Sequence, residues 1–217
     1  MTTESSADFT VRVGATVSST VAEGPGTRFA LWVQGCSLQC PGCFNPHLWG
    51  TKGGTDRRVA DLVDDVSAAD VDGITLLGGE PFEQAVALAA LADAVRARGL
   101  SVMTFTGYDL PELTGAGAPT GSAELLAATD LLVTGRYERE RPDHRRPWVG
   151  STNQRFEFLT DRYRHLEQKL RAIGDRLEIR VDATGAVMVN GWSSMESLEM
   201  LLDDPALILR RPGRNSR

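Results

Sequence analysis

Cysteine is scarce in this 217-residue chain. There are three, and all fall between positions 36 and 43. An odd, tightly clustered set makes a poor disulfide framework, and in a reducing compartment such a cluster more often binds a metal. Histidine is equally scarce: His47, His144 and His165 fall into no Ser/His/Asp pattern. No run of 18 apolar residues exists, so no transmembrane helix is expected. Positive charge is in deficit, with 23 Lys and Arg against 29 Asp and Glu and a net charge of −6, which argues against a general nucleic-acid binder. The densest basic stretch, residues 136–146, is broken by Glu138, Glu140 and Asp143 and reads as a solvated loop. The glycine-rich stretches match neither a P-loop nor a dinucleotide fingerprint. Residues 1–8 are polar and acidic, without the basic and apolar regions of a signal peptide, so a cytoplasmic protein is expected.

What is present suits an ordinary globular domain: 41% hydrophobic and 24% charged residues. Residues 10–13 alternate as a short strand. An apolar strand over 29–33 runs straight into the cysteines. Thr55-Asp56 can cap a helix with Val59, Leu62, Val63 and Val66 on one face. A buried strand over 74–77 precedes Gly78-Gly79-Glu80-Pro81. A helix with Leu88, Leu91 and Val95 on one side stops at Gly99. Strands over 100–105 and 131–133 flank a short helix over 122–128. This alternation predicts an α/β fold with a mainly parallel sheet, whose site lies at the carboxyl ends of the strands. The cysteines, Gly78-Gly79-Glu80-Pro81, Thr106-Gly107 and Thr134-Gly135-Arg136 each follow a predicted strand. Beyond them, residues 161–173 read as a charged helix, 177–181 and 186–189 as a hairpin around Asp182-Ala183-Thr184-Gly185, and 194–202 as a last helix.

Cys36, Cys40 and Cys43 have C-x3-C-x2-C spacing, and Gly35 and Gly42 let the backbone wrap closely. Thiolates suit zinc or iron–sulfur clusters. Three on one loop can hold three irons of a 4Fe-4S cube and leave the fourth open. His47 completes a Cys3His zinc alternative. Spacing alone does not choose between them.

The cysteine loop together with Gly78-Gly79-Glu80-Pro81 resembles the radical S-adenosylmethionine superfamily. Further segments resemble the activating enzymes of anaerobic ribonucleotide reductases: Gly24-Pro25-Gly26-Thr27-Arg28, Cys40-Pro41-Gly42-Cys43-Phe44-Asn45, Thr106-Gly107-Tyr108, Asp130 to Val133 with Gly135 and Arg136, and Trp148-Val149-Gly150-Ser151-Thr152-Asn153-Gln154. The resemblance spans residues 24–154. The chain departs from the family at Thr134, where an acidic residue is usual, at Arg136, where lysine is usual, and by continuing past Gln154.

The resemblance implies a partial open (β/α) barrel over residues 1–154; residues 155–217, beyond it, are expected from their own pattern to form a helix-hairpin-helix extension packed on it. It implies a 4Fe-4S cluster on Cys36, Cys40 and Cys43. S-adenosylmethionine would bind near Phe44, Gly78, Gly79, Glu80, Pro81, Thr106 and Arg136, with no catalytic residue beyond cluster and cofactor. The implied activity is reductive cleavage of S-adenosylmethionine to a 5′-deoxyadenosyl radical, which removes hydrogen from a glycine of a partner glycyl-radical enzyme, with a flavodoxin-type protein supplying the electron. A radical enzyme acting on a small molecule or peptide, and a non-catalytic zinc module, are the alternatives. The absence of cysteine outside the loop limits the chain to one cluster and favours the activating type. The hairpin's apolar side, Leu177, Ile179 and Val181, must pack on something: it is expected to extend the sheet and cover an edge, the alternative being part of a partner-docking surface.

Overall fold

The computed structural model describes residues 9–174, 176–181, 184 and 187–191. Strand β1 (Thr10–Thr20) runs antiparallel to β2 (Arg28–Val33), and β3 (Thr55–Arg58) adds to the other side of β1. There follow α1 (Val59–Ala68), β4 (Gly73–Gly78), α2 (Ala85–Arg96), β5 (Ser101–Phe105), α3 (Leu110–Thr114), α4 (Ser122–Ala128), β6 (Leu131–Thr134) and β7 (Arg155–Phe158). The sheet is open, in the order β3-β1-β2-β4-β5-β6-β7. Strands β2, β4, β5 and β6 pair in parallel, while β1, β3 and β7 are antiparallel flanks, so the sheet is mixed. No helix among the described residues is long and apolar enough to cross a membrane.

The period-two alternation of the strands separates two layers. Phe29, Leu31, Val33, Ile74, Leu76, Val102 and Leu132 pack with Leu62, Val66, Leu88, Leu91, Val95 and Leu125 of the helices. The intervening residues face the other way: Ala30, Trp32 and Leu77 form one cluster there, and Met103, Leu131 and Val133 pack with Trp148, Val149, Tyr163 and Leu170 in another. One face is thus covered by helices and the other only partly, by irregular chain.

Several expectations change. The first strand extends to Thr20, and Thr55-Asp56 caps no helix. Residues 55–58 pair with residues 10–13 instead, and α1 starts at Val59, whose N–H donates to the Phe9 carbonyl. Strand β7 was not expected; it continues the sheet past the tryptophan-glycine-asparagine motif. Residues 161–173 form 3-10 turns, Asp161–Leu166 and Leu170–Ala172, not one helix. Their chain bends so that Tyr163, Leu166 and Leu170 all reach the apolar cluster. The hairpin forms from β8 (Leu177–Val181) and β9 (Val187–Gly191), but as a separate two-stranded sheet. It does not extend the main sheet. Residues 194–202 lie outside the described residues.

The amino ends of the parallel strands converge on Arg28, which is fully buried. Its guanidinium donates to Thr75 Oγ1 (3.0 Å), Ser101 Oγ (2.5 Å), the Tyr163 hydroxyl (3.2 Å), the Ser101 carbonyl (3.3 Å) and the Ile74 carbonyl. Burial lowers its pKa, opposed by the nearby Tyr163, Asp130 and Asp72. Because removing this buried side chain takes the donor from five acceptors at once, Arg28→Ala should cost about 3 kcal/mol or more. Tyr163→Phe, which removes one hydroxyl from the network, should cost about 1–2 kcal/mol. Urea unfolding of both variants checks the order.

Candidate functional site

The parallel strands deliver their carboxyl ends to one edge of the sheet, where α/β folds bind ligands. β2 leads into Gly35 and the cysteine loop, β4 into Gly79 and Glu80, β5 into Thr106 and Gly107, and β6 into Gly135. Gly79, Glu80, Thr106, Gly107 and Gly135, with Cys36, Cys40 and Cys43, line one cleft of about 600 Å³. Its apolar wall is Trp32, Leu77 and Phe105, from the sheet face that carries no helices.

The cysteine loop is seated by backbone contacts. Gly35 and Cys36 donate to the carbonyls of Leu48 (2.8 Å) and Trp49 (3.0 Å). Glu80 N–H donates to the Gly35 carbonyl at 2.8 Å. Ser37 donates to Glu83 through its N–H (2.9 Å) and its hydroxyl (2.5 Å). Two glycines make room for this seating. A Cβ on Gly79 would strike the Gly35 carbonyl, and one on Gly107 would lie 2.5 Å from Leu38 Cδ1. Within the loop Gln39 and Gly42 take positive φ, 44° and 78°, a conformation uncommon for a residue with a side chain.

Glu80 ties these ends together. It is 1% exposed. Oε1 accepts from Phe82 N–H (2.9 Å) and the Thr106 hydroxyl (2.8 Å), and Oε2 accepts from Gly107 N–H (2.8 Å). Burial drives its pKa up to about 7, against the pull of those donors. Burial also raises the Cys36 and Tyr108 pKa values, and that of Glu23 across the cleft.

The cleft gathers most of the expected ligands and leaves two outside. Cys36, Cys40, Cys43, Phe44, Gly78, Gly79, Glu80 and Thr106 line it. The Thr106 hydroxyl is engaged twice, donating to Glu80 and accepting from Tyr108 N–H at 3.1 Å. Phe44 is 51% exposed and meets the Tyr137 ring edge-on. Pro81 opens a 3-10 turn (Pro81–Gln84) and is buried beneath the site. Arg136 does not line the cleft: its guanidinium lies 3.3 Å from Glu112 at the start of α3, whose pKa is lowered by the Asp109 N–H and then by Arg136. Gln154 lines the cleft but spends its amide on Gly150 N–H, Ser151 N–H and the Gly135 carbonyl, so it fixes a loop. Sequence reasoning missed Glu23, Trp49 and the hairpin residues Leu177 and Met188 to Gly191, which also line the cleft. No local motif marks them, since long-range packing brings them there.

The residues suit an iron–sulfur cluster and a polar organic ligand. The three sulfurs are half-buried, unbonded to one another and open to one cleft. Among the described residues no three Cys, His, Asp or Glu side chains converge on a single ion, so the loop gathers the thiols on the cleft without closing them around one centre. Trp49, also on the cleft, has a buried indole N–H without an acceptor.

Because the folded pKa of Glu80 lies above its ordinary value of 4.5, the folded state holds the extra proton in between. Its contribution to stability is complete below pH 4.5 and lost as the pH rises to about 7. Glu80→Gln should remove this slope while costing about 1–3 kcal/mol, because Gly107 N–H then faces an amide donor. Urea unfolding of both proteins across that range tests it.

The profile of the 4Fe-4S single cluster domain family matches residues 22–157. The anaerobic ribonucleoside-triphosphate reductase-activating protein of Enterobacteria phage T4 is 32% identical over 145 residues, covering 64% of this chain and 88% of that protein. Its counterpart from Vibrio cholerae is 34% identical, covering 62% and 89%, and that of Escherichia coli K12 is 31% identical, covering 62% and 90%. Among solved structures, QueE from Escherichia coli overlays 56% of this chain and 68% of that chain at 16% identity with a TM-score of 0.42, a likeness too slight to weigh. The chain belongs to the 4Fe-4S single cluster domain family and, within it, to the anaerobic ribonucleoside-triphosphate reductase-activating proteins.

Proposed function

We propose that this chain is a radical S-adenosylmethionine enzyme that installs a glycyl radical on an anaerobic ribonucleotide reductase. The observation that carries the reading is the docking of the cysteine loop onto Gly79 and Gly107, which puts three thiols and two glycine-bearing strand ends on one cleft. Cys36, Cys40 and Cys43 would hold the 4Fe-4S cluster. The chemistry this group supplies when bound is reductive cleavage of S-adenosylmethionine into methionine and a radical fragment able to take hydrogen from a glycine.

The protein's own part is positioning and exclusion of water. The backbone of Gly78 and Gly79 can approach a ligand closely because no side chain intervenes. Trp32, Leu77 and Phe105 form an apolar wall that keeps water from a reactive fragment. Phe44 and the Trp49 N–H offer a ring face and a donor to the cofactor's base and polar atoms. Glu80 and Thr106 act through the loop ends they hold, and Pro81 through the turn it starts. Arg136 would reach the cofactor carboxylate only by leaving Glu112. We assign the electron to a flavodoxin-type donor and the reaction to the cytoplasm, where clustered thiols stay reduced. Residues 1–154 carry the cluster site in this reading, and residues 155–217 contribute the hairpin wall.

Anaerobic reconstitution should give about four irons per chain, and Cys36→Ala, Cys40→Ala and Cys43→Ala should each abolish the cluster. The dithionite-reduced protein should convert S-adenosylmethionine to 5′-deoxyadenosine and methionine. With the reductase present it should also produce a glycyl-radical signal in electron paramagnetic resonance. Full iron content in any cysteine variant, or an intact cluster without cleavage, contradicts the reading.

A further inference from the structure

Strand β9 meets the cleft along its edge. Four consecutive residues, Met188, Val189, Asn190 and Gly191, line it. Successive side chains of a strand point to opposite faces, so a run of this kind marks a strand turned edge-on. β8 pairs with one edge of β9, and no strand among the described residues pairs with the other.

The direction of the free backbone groups follows from Gly191. Its N–H donates to Glu23 Oε1 at 2.6 Å, and Glu23 lines the same cleft, so this N–H points away from β8. In an antiparallel ladder the backbone groups alternate sides every second residue. Val189, opposite Ile179, therefore turns its N–H and C=O to the cleft side as well.

The hairpin is also moored upside down. Its polar side faces the rest of the protein. Glu178 accepts from Val21 N–H (2.9 Å), Arg180 donates to the Ser19 carbonyl (2.5 Å), and Asn190 donates to Thr20 Oγ1 (3.0 Å). The apolar side is left to solvent, with Ile179, Val181 and Val189 between 37% and 48% exposed.

We propose that the free edge of β9 receives the target segment of the reductase as an extended third strand, placing its glycine in the cleft beside the cysteines. The inference rests on the reading above that the substrate is a glycine within a polypeptide. A glycine offers no side chain to recognise, so the main chain and the flanking residues must identify it. Strand addition supplies main-chain hydrogen bonds for affinity and alternate side-chain positions for specificity. A residue flanking the glycine on the outward face would lie beside Val189, with Ile179 of β8 one strand further on, so an apolar one is selected there. The hairpin lies beyond residues 22–157, the segment that matches the family.

The test replaces one N–H. Val189→Pro removes the outward donor and leaves the residues that bond β8 unchanged, a substitution that edge strands tolerate. Val189→Thr keeps the donor. V189P should raise the KM for the reductase of the same organism about tenfold, the worth of one lost hydrogen bond. V189T should not, and both should keep the iron content of the unmodified protein. Activation by V189P at the unmodified KM overturns the proposal, as does an equal rise with V189T. If V189P fails to fold, seen as lost iron content, amide exchange on the unmodified protein decides. The Val189 N–H must slow about tenfold when the reductase is added, and an unchanged rate overturns the proposal. A protein that cleaves S-adenosylmethionine but never activates the reductase strikes at the glycyl-radical reading instead, while the exchange rate still judges the edge.

Discussion

The carboxylate of Glu80 is the constraint on which the site depends. It is buried among three donors from two different strand ends, Phe82 after β4 and Thr106 and Gly107 after β5. Its own N–H reaches Gly35, just before the cysteines. One residue therefore fixes, through hydrogen bonds, the spacing of three loops that are well separated in sequence. The same spacing requires Gly79 and Gly107 to lack side chains, since the Gly35 carbonyl and Leu38 occupy that space. The cost is desolvation of an acid, visible in its raised pKa. A buried acid that only just ionises at neutral pH is a weak stabiliser but a specific one, because few other side chains can accept from all three donors.

Arg28 does the corresponding work at the amino ends of the strands. It lies between Thr75 of β4 and Ser101 of β5, and Gly73 leaves it room, because a Cβ there would collide with the guanidinium. The parallel strands are thus bound at both ends by a buried ionisable group. The ends differ in what surrounds the charge. Around Arg28 every group is internally satisfied and a tyrosine closes the network. Around Glu80 the backbone is open to a cleft. That asymmetry is why chemistry belongs at one end and stability at the other.

The parts of the fold written in local pattern were readable from sequence. The apolar runs behind β2, β4, β5 and β6 and the apolar stripe of α2 appear where they were expected, and the cysteine, Gly-Gly-Glu-Pro and Thr-Gly segments meet because parallel strands bring their carboxyl ends together. What local pattern could not carry was partnership. β3 and β7 are short, polar-rich strands that exist because β1 and β6 offer unpaired edges. Residues 161–173 have helical spacing, yet Tyr163 is drawn to Ser101 and Arg28 and the chain bends into 3-10 turns. Arg136 follows its strand as expected, but Glu112 lies nearer than the cleft. Glu80 lines the cleft as expected, and what pattern could not show is that its carboxylate also accepts from Phe82, Thr106 and Gly107.

The hairpin shows most plainly why pattern and partnership can point in opposite directions. Alternation over residues 177–181 separates Leu177, Ile179 and Val181 from Glu178 and Arg180, and apolar burial alone would turn the first set inward. The region beside it, however, is the end of β1 and the turn after it, where the Ser19 carbonyl, Thr20 hydroxyl, Val21 N–H and Glu23 carboxylate present polar groups to whatever covers them. Burying those groups against an apolar face would leave them unsatisfied, at about 1–3 kcal/mol each. That exceeds the gain from covering a few half-exposed aliphatic side chains, which is about 25 cal/mol per Å² of apolar area removed from water. Polar groups therefore decide which side of the hairpin turns in, and the apolar side is left at the mouth of the cleft.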